Sequence, residues 1–271
     1  MTRSPGIELK RLRELYDRRY FLGDCEGHER FARNQGQHPS RRLKKCIGLL
    51  DPAPGETIID VGCGRGEIAL HAAASGAFVT GLDISVDALQ LANQARLNWV
   101  IPPSNLNFVQ ARAESMPIST SSADAVMMSD VIEHIRRADV PTVLQQCHRV
   151  LKPGGRLVVH TQPNRRLLNT TVPLLSHCSH LWGVSLPTDF RTEMTRGAGP
   201  DYHVNEQTRG QMASSLRRAG FHIEQLWLEG TYPIHRIFGD SRLKPWLIRR
   251  FRRSRLMREF LASQIFAVAR R

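Results

Sequence analysis

Short apolar runs, each ending near a turn residue, alternate with helix-like stretches along most of the chain. The clearest example is residues 56–85, where Ile58 and Ile59 lead into Asp60 and three glycines follow at alternate positions. A helix-like stretch comes next, and a second apolar run ends at Asp83. This order predicts a strand, a tight glycine turn, a helix and a second strand parallel to the first. Such units bind ligands at the carboxyl ends of their strands.

The glycines Gly62, Gly64 and Gly66 indicate a backbone that approaches its ligand closely, because a side chain there would hold the ligand away. Asp83 follows the second strand, where a carboxylate can accept two hydrogen bonds from a ribose diol. The spacing is G-x-G-x-G rather than the dinucleotide pattern G-x-G-x-x-G, and Glu67 replaces the third glycine of that pattern. The acidic turn would repel a pyrophosphate and suits a nucleoside that carries positive charge.

Further apolar runs after Asp83 predict five more strands. They cover Leu106–Val109, Ala123–Met128, Arg156–Thr161, His222–Leu228 and Gln264–Ala269. The segment from Arg149 to Gly155 predicts a helix end and a turn, because a proline and paired glycines stop a helix and reverse the chain.

The motifs together resemble the class I S-adenosylmethionine-dependent methyltransferases, and most closely their ubiquinone-biosynthesis branch. The segment Asp60–Gly66 matches their first motif, Asp83 their ribose-binding acid, and Ala111–Pro117 their adenine-contacting loop. Ser129–His134 resembles the segment that borders cofactor and substrate. The resemblance implies an α/β fold with a Rossmann-like, seven-stranded, mostly parallel sheet, helices on both faces and a reversed C-terminal strand hairpin.

The same resemblance implies that the cofactor is S-adenosyl-L-methionine and the product S-adenosyl-L-homocysteine. Many relatives have an acid where this chain has Arg112, so we expect backbone contacts with the adenine rather than a side-chain bond. We predict no metal, since the pair His177 and His180 lacks nearby acids. The implied cofactor contacts are Asp60, Gly62, Cys63, Gly64, Gly66, Asp83, Ile84, Ala113, Glu114, Ser129 and Asp130.

Methyl transfer to a hydroxyl benefits from a general base, and histidine is the natural candidate near neutral pH. His134 follows the fourth strand, His160 ends the fifth, and His203 precedes a helix near Glu206–Ala219. A structural role is the more common one for any single histidine. As a set they predict one base, with His203 first and His134 second.

Three segments lie outside the predicted sheet core. Residues 1–50, with two helices around a polar stretch near 23–36, are expected to form a helical lid in front of a methyltransferase domain at 51–271. Residues 163–204 are expected to be a substrate-side insertion, because long loops at strand ends often carry specificity. Residues 231–261 are expected to be a basic helical insertion, with one helix from Arg242 to Leu261.

Positive charge is concentrated at the C-terminus. The net charge of the chain is +13, and residues 236–271 hold eleven Lys and Arg against two Asp and Glu. This basic segment is compatible with an anionic acceptor or carrier, with an anionic membrane surface, or with RNA. A solvated face over a packed apolar stripe ranks level with an anionic partner or surface, and RNA ranks behind both.

The leading functional hypothesis is methylation of oxygen in a small-molecule, sugar or carrier-linked acceptor. The alternatives are an RNA methyltransferase that uses the basic helix, and a catalytically silent subunit that binds the cofactor. Five scattered cysteines favour a reducing cytoplasm, and the charged first residues lack the apolar stretch of a signal peptide. We therefore expect a cytoplasmic protein, with peripheral membrane contact as a further option.

Overall fold

A computed structural model describes residues 14–174, 202–231 and 244–271. Its centre is a seven-stranded sheet. The strands are β1 Thr57–Val61, β2 Phe78–Asp83, β3 Leu106–Gln110, β4 Ala123–Ser129, β5 Leu151–Thr161, β6 His222–Glu229 and β7 Gln264–Arg270. Their order in the sheet is β3-β2-β1-β4-β5-β7-β6. The first five strands of that order are parallel, and β7 is antiparallel to both of its neighbours. The predicted fold class is confirmed.

Helices cover both faces of the sheet, so the central strands are buried on both sides and read as continuous apolar runs. The helices are α1 His28–Asn34, α2 Arg41–Leu50, α3 Glu67–Ala74, α4 Val86–Arg96, α5 Val140–Val150, α6 Arg209–Arg218, α7 Lys244–Arg253 and α8 Arg255–Leu261. One face of the sheet packs against α5 and α6, and the other against α2, α3 and α4.

Three local predictions are wrong. The expected turn before β5 lies inside the strand, which begins at Leu151, because Gly154 takes the left-handed conformation (φ 76°) without ending the strand. The polar stretch at 23–36 contains α1, which ends where Gln35 turns left-handed. The basic segment forms two helices rather than one, since the hydroxyl of Ser254 accepts a hydrogen bond from Met257 and starts α8.

The N-terminal segment, residues 14–50, lies over the carboxyl ends of β1 and β2. Arg65, in the turn after β1, donates to the backbone oxygens of Phe21 (2.9 Å) and Glu26 (2.7 Å). Arg18 donates its backbone N–H to Asp87 in α4 (3.0 Å). The segment is therefore held against the edge where the parallel strands end, and its action as a lid stays a prediction.

The strand β6 runs in the same direction as β5, because β7 is antiparallel to both. The helices α7 and α8, between β6 and β7, consequently lie at the same edge as the carboxyl end of β5. Asn164, just after β5, donates to the carbonyl oxygens of Glu259 (2.9 Å) and Ala262 (3.1 Å) at this junction. Most of the predicted insertion at 163–204 lies outside the described residues. No helix among the described residues has the length and apolar character needed to cross a bilayer.

Candidate functional site

A cavity of about 290 Å³ lies at the carboxyl ends of β1, β2 and β4, between the sheet and the N-terminal segment. Of the cofactor contacts and histidines predicted for the site, all but Gly66 and His160 line it. It is bounded by the glycine turn on one side and by His134 and His203 on the other. The parallel sheet brings these residues together because each follows the end of a strand.

The glycine turn has a conformation that other residues rarely adopt. Gly62 has φ 65°, and a Cβ there would lie 2.4 Å from a methyl group of Val131. Gly66 has φ 78°, and its Cβ would lie 2.9 Å from Ala92 and Phe108. Gly66 thus serves the packing of the turn that begins α3 and is not among the residues that line the cavity, so its predicted contact with the cofactor stays a prediction.

Asp83 ends β2 with its carboxylate at the cavity wall. One oxygen accepts the backbone N–H of Gly64 (2.8 Å) and the other that of Ser85 (2.9 Å). Burial raises the pKa of Asp83, and these hydrogen bonds lower it in part. The bonds fix the carboxylate, and its oxygens keep lone-pair capacity for a ribose hydroxyl.

Asp60 in β1 is 3 % exposed and lines the same cavity. Burial raises the pKa of Asp60 to about 7, although a hydrogen bond from the backbone of Ala69 lowers it in part. A cation bound nearby would stabilise this desolvated carboxylate. Cys63 in the turn is 9 % exposed, and burial raises the pKa of its thiol well above the usual range. Cys63 is therefore packed rather than reactive.

Ile84, Ala113 and Glu114 also line the cavity. The carboxylate of Glu114 pairs with Arg112 at 3.1 Å, so the charges of both side chains are already matched. The backbone of Ala113 and Glu114 stays next to the cavity. This geometry suits the expectation that an adenine would contact the backbone of this loop.

Beyond the glycine turn, Arg42 joins three parts of the chain on the cavity floor. This guanidinium from α2 is paired with Asp130 after β4 and lies 3.1 Å from Glu26 of the N-terminal segment. Asp130 has φ 54°, and its other oxygen lies 3.1 Å from Nδ1 of His160. The hydroxyl oxygen of Ser129 lies 3.4 Å from Nη1 of Arg42. The predicted cofactor residues Ser129 and Asp130 therefore line the cavity with their side chains engaged by protein groups.

His134 and His203 pack edge to face, with ring centroids 4.9 Å apart. Nδ1 of His134 lies 2.8 Å from the carbonyl oxygen of Tyr202 and 3.0 Å from the hydroxyl of Tyr16. Burial lowers the pKa of His134 to about 4, so its imidazole is neutral at pH 7. His160 is fully buried beneath the floor, and burial with the Arg42 charge lowers its pKa well below the usual value.

Glu133 is a cavity residue that sequence reasoning missed, although it directly precedes His134. It is 1 % exposed, accepts a hydrogen bond from the hydroxyl of Thr161 (2.8 Å), and lines the cavity. Burial raises the pKa of Glu133 to about 7, and hydrogen bonds lower it in part. Arg42 and Glu26 were also missed, because only their contacts with distant parts of the chain place them here. Tyr16 belongs to the segment expected to form the lid, and it lines the cavity.

The cavity is acidic although the chain is basic. Nine of its lining residues are Asp or Glu, and four are Arg. Each of those arginines is already paired with a lining acid. The pairs are Arg42 with Glu26 and Asp130, Arg65 with Glu67, Arg112 with Glu114, and Arg136 with Asp139. The C-terminal positive charge therefore lies elsewhere on the described surface.

These features fit S-adenosylmethionine. The tight glycine turn allows close backbone approach, Asp83 presents lone pairs to a ribose, and the desolvated carboxylate of Asp60 suits an ammonium or sulfonium. A phosphate at the start of α3 would instead meet Glu67, whose carboxylate lies 2.9 Å from Arg65.

Comparison with known proteins agrees with this chemistry. A family model described as a methyltransferase domain matches residues 59–159. The ubiquinone/menaquinone biosynthesis C-methyltransferase UbiE of Rhizobium etli is 32 % identical over 189 residues, which cover 65 % of this chain and 69 % of that protein. The ubiquinone biosynthesis O-methyltransferase of Vibrio atlanticus is 30 % identical over 165 residues, which cover 59 % of this chain and 65 % of that protein.

Solved structures share the fold. Magnesium protoporphyrin IX methyltransferase from Synechocystis PCC 6803, with bound S-adenosylhomocysteine, has a TM-score of 0.60 at 16 % identity and covers 99 % of this chain and 100 % of its own. Phosphoethanolamine N-methyltransferase 2 of Haemonchus contortus, with bound S-adenosyl-L-methionine, has a TM-score of 0.59 at 18 % identity. This match covers 94 % of the present chain and 60 % of that one. The chain therefore belongs to the class I S-adenosylmethionine-dependent methyltransferases, within the ubiquinone-biosynthesis-like branch, and S-adenosylmethionine is its methyl donor.

Proposed function

We propose that this methyltransferase transfers the methyl group to the hydroxyl oxygen of a small, uncharged aromatic acceptor of the phenol or quinol class. The contact between Nδ1 of His134 and the carbonyl oxygen of Tyr202 carries the proposal. Because a carbonyl oxygen can only accept, Nδ1 holds the ring proton and Nε2 holds the lone pair. His134 is thus oriented as a neutral base in the cavity that holds the glycine turn.

Aromatic side chains support a flat acceptor. Tyr16, Tyr20 and Phe21 line the cavity. Tyr202 stacks on Tyr20, with ring centroids 5.0 Å apart and an interplanar angle of 15°. Tyr16 meets Tyr20 edge to face at 5.2 Å. Such a wall favours a ring that stacks or packs edge-on.

The charges of the cavity support an uncharged reacting end. The four lining arginines are all committed to lining carboxylates, and the acids outnumber them. An anionic acceptor would meet repulsion here. Any anionic portion of a carrier-linked acceptor would therefore lie outside the cavity.

Positioning supplies most of the chemistry, since the bound sulfonium donates its methyl group in an in-line displacement with a neutral leaving group. Holding the acceptor oxygen in line can lower the barrier by roughly 7–11 kcal/mol. As oxygen gains the methyl group, its proton becomes far more acidic than that of a free phenol. A base such as His134, whose pKa is lowered to about 4, is then strong enough to accept it. We assign this role to His134, and His203 packs against its ring.

The names of the relatives agree with a ring acceptor. They include a ubiquinone O-methyltransferase, ubiquinone/menaquinone C-methyltransferases, and the 2-phytyl-1,4-naphtoquinone methyltransferase of a Nostoc species. Both oxygen and carbon acceptors occur among them. We choose oxygen because a base in the cavity can accept the proton of a hydroxyl acceptor directly.

The test incubates the purified chain with a donor labelled with ¹³C in its methyl group and a panel of phenols, hydroquinones and catechols. We expect S-adenosylhomocysteine formation and a product whose labelled carbon has the NMR shift of a methoxy group. A label on ring carbon or on nitrogen would overturn the choice of oxygen. Methylation of RNA, with none of the phenols methylated, would favour the RNA alternative. Donor binding without turnover of the phenols, RNA or any amine control would favour the silent-subunit alternative.

A further inference from the structure

We propose that the outward face of α7 and the start of α8 docks on an anionic lipid surface. On α7, Trp246, Arg249, Arg250 and Arg253 follow the spacing i, i+3, i+4, i+7 and share one side of the helix. Arg255 and Leu256 follow at the start of α8 and are exposed as well. We call these exposed residues together the outer face, and they are Trp246, Arg249, Arg250, Arg253, Arg255 and Leu256.

The opposite side of α7 already has its packing partners. Phe251 is 3 % exposed and joins a small core with Leu228, Ala262 and Ile265, against which Ile248 also packs. The apolar residues of the outer face, Trp246 and Leu256, are not part of this small core. Trp246 is 53 % exposed and Leu256 is 69 % exposed.

The charges of the outer face are not neutralised by the acid of these helices. The acid in α7 and α8 is Glu259, which is 9 % exposed and is paired with Arg209 and Arg166 on the inner side. The arginines of the outer face all point to solvent. Arginines interleaved with an indole and an aliphatic side chain are typical of helices that lie in the membrane interface.

Lipid fits this face better than RNA does. Phosphates of either kind would satisfy the arginines, but an exposed Leu256 gains free energy only where acyl chains are near. The face also lies at the sheet edge where β5 and β6 end, which is the edge that carries the cavity. Docking would therefore bring that edge to the bilayer. The proposal does not depend on the identity of the methyl acceptor.

The experiment is flotation of the purified full chain with vesicles. One set contains phosphatidylcholine alone, and the other contains phosphatidylcholine mixed with phosphatidylglycerol. We expect binding to the mixed vesicles that weakens as salt increases, because exposed charges are screened. Each arginine near the surface contributes about a fivefold increase in partitioning, so the triple variant Arg249→Gln, Arg250→Gln, Arg253→Gln should bind about a hundredfold more weakly.

A matched control removes the same charge from another surface. Arg137, Arg217 and Arg218 are exposed on other helices or loops, and their triple change to Gln should leave vesicle binding within about twofold of wild type. Trp246→Ala should weaken binding, with donor affinity unchanged as evidence of folding. Equal binding to both vesicle types, or equal loss in the control variant, would overturn the proposal. The proposal would also be overturned if the chain did not float with either vesicle type but bound transfer RNA in a way that required the three arginines.

Discussion

Arg65, in the glycine turn, donates from Nη2 to the backbone oxygen of Glu26, 2.7 Å away and 39 positions earlier in the chain. The same guanidinium donates to the backbone oxygen of Phe21 and pairs with Glu67. Its side chain is 4 % exposed. The turn that we expect to contact the donor thus also holds the N-terminal segment over the cavity, so we expect donor binding and enclosure of the cavity to be linked through one residue.

Arg65→Met should therefore speed the release of S-adenosylhomocysteine and weaken its binding at least about tenfold, because hydrogen bonds to a charged group contribute roughly 1.5–3 kcal/mol each. Stopped-flow displacement and calorimetry measure the two effects. Arg96→Met is the control, since Arg96 likewise donates to two backbone oxygens, those of Leu106 and Pro103, away from the cavity. Equal product release in the two variants would contradict the link.

Asp83→Ala should weaken donor binding at least about tenfold, because the variant loses a charged acceptor for the ribose and the anchor of Gly64. Calorimetry measures the change. Asp124→Asn is the control, since this acid lies at the amino end of β4 and pairs with Lys152. Unchanged affinity in Asp83→Ala would refute the ribose role.

Donor affinity should fall as pH decreases through about 7. Burial raises the pKa of Asp60 to about 7, so the carboxyl gains a proton below that pH and loses the charge that attracts the ammonium and sulfonium. Above pH 7 the ionised form predominates and binding should reach a plateau. Asp60→Asn should bind weakly with a flatter pH dependence, and Glu133→Gln should keep the wild-type profile. A profile unaltered by Asp60→Asn would contradict the assignment.

His134→Ala should lower kcat by about a hundredfold or more and leave donor affinity intact, because a positioned base contributes 10²–10⁴-fold. His203→Ala should also lower turnover through the loss of the ring that packs on His134. The measurement is the kcat of each single variant at saturating donor. His222→Ala is the control, because His222 is exposed. A fully active His134→Ala protein would remove it as the base, and a fully active His203→Ala protein would remove the packing role.

The strands and the glycine turn were predictable because their signals are local. An apolar run next to Asp60 and three closely spaced glycines need only a few neighbouring residues to be recognised. Boundaries were less predictable where a single side chain decides them. Ser254 divides the basic segment into two helices by capping the second, which the distribution of charge along the segment does not reveal.

The wall opposite the glycine turn was not predictable in the same way. Arg42 reads as one of two surface-like arginines, yet it is buried on the cavity floor because α2 brings it to Asp130, 88 positions later. Tyr16 and His134 are 118 positions apart in the chain. Contacts across such distances depend on how α2 and the N-terminal segment pack on the sheet, and no periodic pattern encodes that packing.

The sequence by itself determined the donor side: a parallel sheet, a bare glycine turn, and two carboxylates, Asp60 and Asp83, for a cationic nucleoside. The tertiary structure decided the side where we propose that the acceptor binds: which histidine is oriented, that the cavity is acidic in a basic chain, and where the outer face lies. The reason is physical. The donor side is built from consecutive residues of one β-turn-α unit, whereas the acceptor side forms only when distant segments pack together.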